Sequence, residues 1–164
     1  MQDLKLIPAG DKDIAVISAL AKTVWNQHYP AIITQEQIDY MLQMMYSSES
    51  LAEQMQLKNH VFFLVQSNEN PIGFISVHCE KENEWFLNKF YIDQALASKG
   101  IGGKAFEELK KIIQPLKMTL TVNRQNFKSI NFYFKNGFKI EQVADFDIGN
   151  GYVMNDFVMV WKKQ

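Results

Sequence analysis

The sequence predicts an α/β protein in which seven strands alternate with helices in the order β-α-α-β-β-β-α-β-α-β-β. Apolar residues recur at helical spacing over residues 13–25 and 105–113 but form compact strand-like runs over 61–65 and 72–77. Gly, Pro, Asn and Ser fall between these segments as breakers, so the two periods alternate along the chain as they do in an α/β unit. The 164 residues contain 47% hydrophobic residues and no repeat, linker or low-complexity stretch. A chain of this size buries roughly 70% of its unfolded surface in one core. We therefore expect one domain spanning residues 1–164.

Residues 4–7 alternate weakly before Pro8 and read as the first strand. Ile14, Ile17, Ala21, Val24 and Trp25 share one helical face, and Pro30 ends that region. Thr34 followed by Gln37 resembles a capping box that opens a helix carrying Ile38, Met41, Leu42 and Met45, while Ser48 or Ser50 is placed to open a further one through Leu51 and Met55. Methionines at that spacing read as core filler. The runs at 61–65 and 72–77 form a hairpin around Asn68-Glu69-Asn70-Pro71, and residues 85–92 form the next strand beyond the polar link Lys81-Glu82-Asn83-Glu84. A glycine-rich loop then leads into a helix closed by Pro115. Residues 118–122 read as a strand, residues 126–136 as a helix stopped by Gly137, and 138–146 and 153–161 as the last two strands.

Seventeen basic and eighteen acidic residues give a net charge of −1, which argues against a broad nucleic-acid footprint. No apolar run approaches the ~18 residues of a membrane span, and the start Met1-Gln2-Asp3-Leu4 lacks the pattern of a secretory leader, so a cytoplasmic protein with no membrane partner is expected. Cys79 has no second cysteine to pair with. His78 stands beside it, but neighbours on a strand point to opposite faces, which argues against a thiol nucleophile with its base. His28, His60 and His78 lack ligand spacing, and no metal site is expected.

The segment Lys99-Gly100-Ile101-Gly102-Gly103-Lys104 sets three glycines and two lysines before an amphipathic helix. Glycine lets peptide N–H groups approach an anion, and the helix dipole adds roughly half a positive charge, so the segment reads as a diphosphate cradle. A glycine turn that only caps the helix is the plainer alternative. A Walker loop is excluded because Ser98 stands in place of its first glycine and Ala105 in place of its hydroxyl residue. A nicotinamide fingerprint on Gly100, Gly102 and Ala105 lacks the acidic residue that should follow about twenty positions on.

Three separated signals resemble the GNAT superfamily of N-acetyltransferases over nearly the whole chain. Phe90-Tyr91-Ile92, four residues and then Ala97-Ser98-Lys99-Gly100-Ile101-Gly102 resemble the family's strand and Arg/Gln-x-x-Gly-x-Gly/Ala pyrophosphate loop, with Ala97 in place of the usual Arg or Gln. Asn123 to Asn126, Ser129-Ile130 and Phe132-Tyr133-Phe134-Lys135-Asn136-Gly137-Phe138 resemble its Asn-x-x-Ala-x-x-Phe-Tyr-x-x-x-Gly-Phe segment. Phe146-Asp147-Ile148-Gly149 and Asn155-Asp156-Phe157-Val158-Met159 resemble a bacterial branch that includes polyamine acetyltransferases, with a looser match at Trp25, Tyr29 and residues 35–38.

The resemblance implies a mixed central sheet flanked by helices, acetyl-coenzyme A as cosubstrate, and direct attack by a primary amine in a ternary complex. The acceptor it favours is a small, polyamine-like molecule. A peptide or protein amine, or a coenzyme A-binding module without turnover, are the alternatives. It implies Tyr133 as general acid toward the departing thiolate, against a core tyrosine packed by Phe132 and Phe134. Backbone groups of Phe90 and Ile92 would pair with the pantetheine arm, and the amides of Lys99, Gly100, Ile101, Gly102 and Gly103 would hold the diphosphate. Lys99 and Lys104 either add charge there or are solvated helix-end lysines. Asn126 either bonds the cofactor or caps its helix.

A lysine-like amine costs about 4–5 kcal/mol to deprotonate at pH 7, so a base or water chain is needed. The strand centre reads Phe86-Leu87-Asn88-Lys89 and offers no carboxylate. Glu84, acting through a water, is the candidate base, against the reading of an exposed loop residue. Glu36, Asp39, Glu49, Glu53, Asp145, Asp147 and Asp156 are acidic residues available to a cationic acceptor, and Trp25, Tyr29 and Tyr40 are available as an aromatic wall. The late strands are a candidate edge for a homodimer.

Overall fold

A computed structural model describes residues 3–164; Met1 and Gln2, on which the reading of the chain's start partly rests, lie outside them. Seven strands form one sheet: β1 (Leu4–Ala9), β2 (Val61–Ser67), β3 (Asn70–Lys81), β4 (Glu84–Ile92), β5 (Lys117–Asn123), β6 (Lys139–Gly149) and β7 (Tyr152–Lys162). They lie in the order β1-β2-β3-β4-β5-β7-β6. Every neighbouring pair is antiparallel except β4–β5, which makes the sheet mixed. The helices are α1 (Ile14–His28), α2 (Gln35–Tyr46), α3 (Ser48–Gln56), α4 (Ile101–Ile113) and α5 (Phe127–Lys135), with a short 3-10 turn at Asp11–Asp13.

Strand β2 explains the two layers. Phe62 and Leu64 face one core with Ile17, Trp25, Ile38 and Leu51 from α1–α3; Phe63 and Val65 face the other with Phe106 and Leu109 of α4 and Ile130 of α5. Because both faces are covered, the strand reads as a continuous apolar run rather than an alternating one.

Several boundaries differ from the sequence reading. The third helix forms, but its cap is Ser47, whose hydroxyl accepts from the Ser50 N–H at 3.2 Å. Thr34 caps α2 as expected, accepting from the Gln37 N–H. The β2–β3 turn contracts to Asn68 and Glu69, both at positive φ (50° and 68°), so Asn70 and Pro71 join β3. The last hairpin closes through Asn150-Gly151, at φ 53° and 79°, so β6 and β7 run further than expected. Two positive-φ residues match the right-handed twist of the flanking strands, which lets pairing continue up to the turn.

The pairing of β4 with β5 is brief. It runs from Glu84↔Lys117 to Phe86↔Thr119 and stops. Beyond it β4 stays with β3 to Gly73↔Ile92, while β5 stays with β7 to Asn123↔Asp156, so the sheet opens a wedge at its centre. A register shift at Ser76/Val77, opposite Asn88, adds a bulge at the start of the wedge.

Candidate active site

Two cavities occupy the wedge, one on each side of Tyr133. The first, about 460 Å³, lies between the end of β4, the Ala97–Gly103 segment and α5, and includes His28, Phe132 and Asn136 in its walls. The second, about 500 Å³, lies between β4, β5, β7 and the helices α1 and α2. Phe90, Tyr91, Ser129 and Tyr133 line both.

In the first cavity the backbone of β4 is the main polar feature. The Asp93 N–H bonds the Ile72 carbonyl, which makes Gly73↔Ile92 a pair whose own peptide groups do not bond each other. By alternation the same holds at Ile75↔Phe90. Phe90 and Ile92 therefore turn their N–H and C=O groups away from β3 and into the wedge, where β5 has already left. These are the two residues the sequence singled out for pairing with an extended arm. The Ile92 carbonyl also accepts from Gln94 Nε2 at 3.1 Å.

At the far end of this cavity, α4 begins at Ile101 rather than near Ala105, with Gly100 as its N-cap at φ 81°. A left-handed N-cap favours glycine. The Ile101 N–H bonds Ser98 O and the Lys104 N–H bonds Gly100 O, which leaves Gly102 and Gly103 as the first-turn amides with no acceptor inside the helix. A Cβ on Gly102 would lie 2.9 Å from Cε2 of Phe132, so glycine here also lets α4 close onto α5. Lys99 lines the cavity and Lys104 does not; Lys128 and Lys135 of α5 do, and the sequence reading had not singled them out. An extended, strand-pairing arm ending in a diphosphate fits this set of donors: two backbone pairs, free helix amides and three lysines.

Tyr133 is 9% exposed and wedged edge-on against Phe132 and Phe138 at 5.4 Å each. Its Oη has no hydrogen bond among the described residues. Burial first, and then the neighbouring Tyr29, push its pKa well above the ordinary phenol value, so it keeps its proton at any working pH. Asn126 caps α5 by accepting from the Ser129 N–H at 3.3 Å, and it also lines the second cavity.

Glu84 is the first residue of β4, across from Lys81 and Lys117, and lines neither cavity. At about 3.3 Å per residue, six residues of strand put it roughly 20 Å from Phe90. The structure does not bring it to Tyr133. Asn88, at the bulge, is held by His78 Nδ1 at 2.8 Å and by the Ser76 hydroxyl at 3.3 Å. Of the expected aromatic wall, Trp25 and Tyr29 line the second cavity, their rings 4.3 Å apart. Tyr40 does not; its hydroxyl bonds the Ile148 carbonyl at 2.7 Å. Tyr91 stands in its place, its Oη 3.1 Å from that of Tyr29.

The sequence reading named Asp156 only as one of seven acidic residues. Here it is buried (5% exposed) in the wall of the second cavity, with Oδ1 lacking a hydrogen-bond partner among the described residues. Arg124 is close but committed elsewhere, to Asp145 Oδ1 at 2.9 Å and to the carbonyls of Ala144 and Asp156. Burial raises the Asp156 carboxyl to about 6, with Arg124 opposing and Asp145 reinforcing the shift. The signal was parity on β7: Met154, Asp156 and Val158 share a face, and an aspartate in an apolar row needs a reason.

One cavity with backbone groups, helix amides and lysines in its walls meets a second, more enclosed by apolar and aromatic side chains, at a protonated phenol, an arrangement compatible with a carrier-dependent group transferase. Comparison with known proteins makes the class specific. Residues 25–138 match the Acetyltransferase (GNAT) family, and the chain belongs to it. It is 29% identical over 143 residues to a spermidine N(1)-acetyltransferase of Thermoplasma acidophilum, covering 83% of this chain and 88% of that protein. The crystal structure of the PaiA N-acetyltransferase of Thermoplasma acidophilum in complex with coenzyme A matches with a TM-score of 0.82 and 27% identity, over 98% of this chain and 99% of that one. A GCN5-related N-acetyltransferase from Rhodopseudomonas palustris shares the fold, with a TM-score of 0.77, 19% identity and coverage of 99% and 96%. The chain is an acetyl-coenzyme A-dependent N-acetyltransferase.

Proposed function

We propose that this enzyme, a single acetyltransferase domain over residues 1–164, acetylates the primary amine of a small, polyamine-like acceptor by direct attack, with Tyr133 as the group that assists thiolate departure. The observation that carries this reading is the junction of the two cavities at Tyr133. Acetyl-coenzyme A supplies an activated thioester, and the reading includes a cytoplasmic setting for the reaction. Phe90 and Ile92 hold the pantetheine arm by backbone pairing, the amides of Gly102 and Gly103 with the Lys99–Gly103 turn hold the diphosphate, and Lys128 and Lys135 add charge. Lys104 is a solvated helix-end lysine in this reading. Asn126 is in this reading a helix cap that borders the acceptor cavity, and not the cofactor ligand that the sequence also allowed.

Because the Tyr133 phenol holds its proton more tightly than a thiol does, it acts first by donating a hydrogen bond to the developing thiolate. Trp25, Tyr29 and Tyr91 offer aromatic surface to the ammonium. The spermidine relative supports a polyamine-like acceptor over a peptide amine.

The test is thiol release from acetyl-coenzyme A across spermidine, simple alkylamines and a peptide N-terminus. Release that saturates with spermidine supports the reading, and no release above hydrolysis for any amine removes it. Tyr133→Phe is expected to lower kcat by roughly 10²–10³ while coenzyme A affinity stays within about threefold. Unchanged turnover would take Tyr133 out of the mechanism.

A further inference from the structure

We propose that Asp156 receives the acceptor's ammonium group and removes its proton, serving as the general base that β4 lacks. The inference rests on the acetyltransfer reading above and names the group within that site that handles the amine.

Four observations converge on it. First, Asp156 is buried in the wall of the cavity that meets Tyr133, and no described residue donates a hydrogen bond to its carboxylate. A buried carboxylate without a partner is strongly unfavourable, so a fold that keeps one facing a cavity is built for a cation that arrives from outside. Second, the natural internal partner is diverted. Arg124 spends its guanidinium on Asp145 and on backbone carbonyls, including that of Asp156 itself.

Third, among the described residues Asp156 is the sole carboxylate lining this cavity, and the other charged residue there, Lys89, is held by Gln54 Oε1 at 2.8 Å. Met41, Met45, Ile148 and Met154 supply apolar wall. The cavity therefore suits one ammonium on an apolar arm, with further positive charges of a polyamine remaining at the mouth. Fourth, its basicity is useful near neutrality: burial, opposed by Arg124 after β5 and reinforced by Asp145 of β6, raises its carboxyl to about 6, ionised at pH 7 yet basic enough to take a proton. The other titratable groups lining the cavity are Lys89 and Tyr91 of β4, Tyr29 at the end of α1 and Tyr133 of α5.

The proton count closes. The Asp156 carboxylate takes one proton from the ammonium. The freed nitrogen pair forms the C–N bond as the C–S bond breaks, and the thiolate sulfur takes the Tyr133 proton. The nitrogen's second proton restores the phenol, and Asp156 releases its own to solvent. Amide, thiol and one proton are the products.

The test compares the wild type with Asp156→Asn. With spermidine at pH 7.5, kcat/KM is expected to fall at least 100-fold while the melting shift produced by coenzyme A is unchanged. A weakly basic fluorinated alkylamine, already neutral at that pH, needs no base, so the defect with it should shrink to within about tenfold. Equal defects with both amines, or a variant with wild-type kcat/KM and pH profile, would overturn the proposal while leaving acetyl transfer intact. Failure of the wild type to release thiol with any amine would instead overturn the reading beneath it. Should the variant not fold, the wild type decides: the melting shift produced by spermidine on the coenzyme A complex should fade as pH falls through about 6. A shift that persists unchanged at pH 5 refutes the assignment.

Discussion

Replacing Asp156 by Asn should stabilise the unliganded protein at neutral pH, and the gain should vanish in acid. The folded state raises this carboxyl from 3.8 to about 6, so it holds the proton more tightly than the unfolded chain does. Stability from this group is therefore fully present below the unfolded value and is lost as pH rises through the folded one. About two pK units at 1.36 kcal/mol each set an upper bound of about 3 kcal/mol. The carboxylate borders an open cavity that screens it, which reduces the expected gain to about 1–2 kcal/mol. For a domain of this size that is a rise of roughly 2–6 °C in Tm. Melting curves of both proteins, freed of amines and coenzyme A, would be recorded from pH 4.5 to 8. The Tm difference should grow across that range and level off above about pH 7. A difference that does not vary with pH, or a variant that melts lower at pH 8, would show that the carboxylate is satisfied in the folded state and would refute the reasoning.

Gly102→Ala places a Cβ 2.9 Å from Phe132, whose ring lies 5.5 Å from Phe90, so the displaced ring should narrow the cofactor cavity and weaken coenzyme A binding about tenfold by calorimetry. Gly103→Ala meets nothing closer than Asn136 Oδ1 at 4.0 Å and should instead raise the Tm of the free protein, as removal of a helical glycine does. His60 stacks on His78 at 4.8 Å and is held at about 4 by burial and by His78, Lys89 and Lys58. Its protonation favours the unfolded chain, so stability should fall as pH drops from 6.5 toward 4, and His60→Gln should flatten that part of the Tm profile. Lys128→Ala with Lys135→Ala should weaken coenzyme A binding and flatten its salt dependence, whereas Lys104→Ala should leave both unchanged.

The sequence made the fold legible wherever local chemistry decides it. The seven strands follow from apolar runs and breakers, and the glycine segment marks where α4 starts, although the helix takes in Gly102 and Gly103 and begins at Ile101 instead of near Ala105. What it hid was set by register. The positive φ of Asn68 and Glu69 moved Pro71 into a strand, and Asn150-Gly151 lengthened the last hairpin, since turn type depends on the twist of both partners. Tyr91 replaced Tyr40 in the aromatic wall because Tyr40 reaches the Ile148 carbonyl across more than a hundred residues of chain. Glu84 looked plausible from its nearness in sequence to the central strand, yet strand rise carries it out of reach.

Asp156 shows why the acidic partner could not be chosen from composition. Seven carboxylates were available, and six of them are exposed while Asp156 is buried. What separates it is the pairing that places it opposite Asn123 at the end of β5, just where the wedge between β4 and β5 has opened. The same divergence frees the backbone of Phe90 and Ile92 on the other side. A single topological event, three residue pairs of parallel ladder followed by separation, thus creates both the edge and the cavity to which the proposed function assigns carrier and acceptor. Continuing the ladder in the same register to Phe90↔Asn123 would satisfy the Phe90 peptide groups internally and bring β5 against β4. The site depends on where pairing stops, and that length is fixed by the bulge at Asn88 and by the competing hold of β7 on β5.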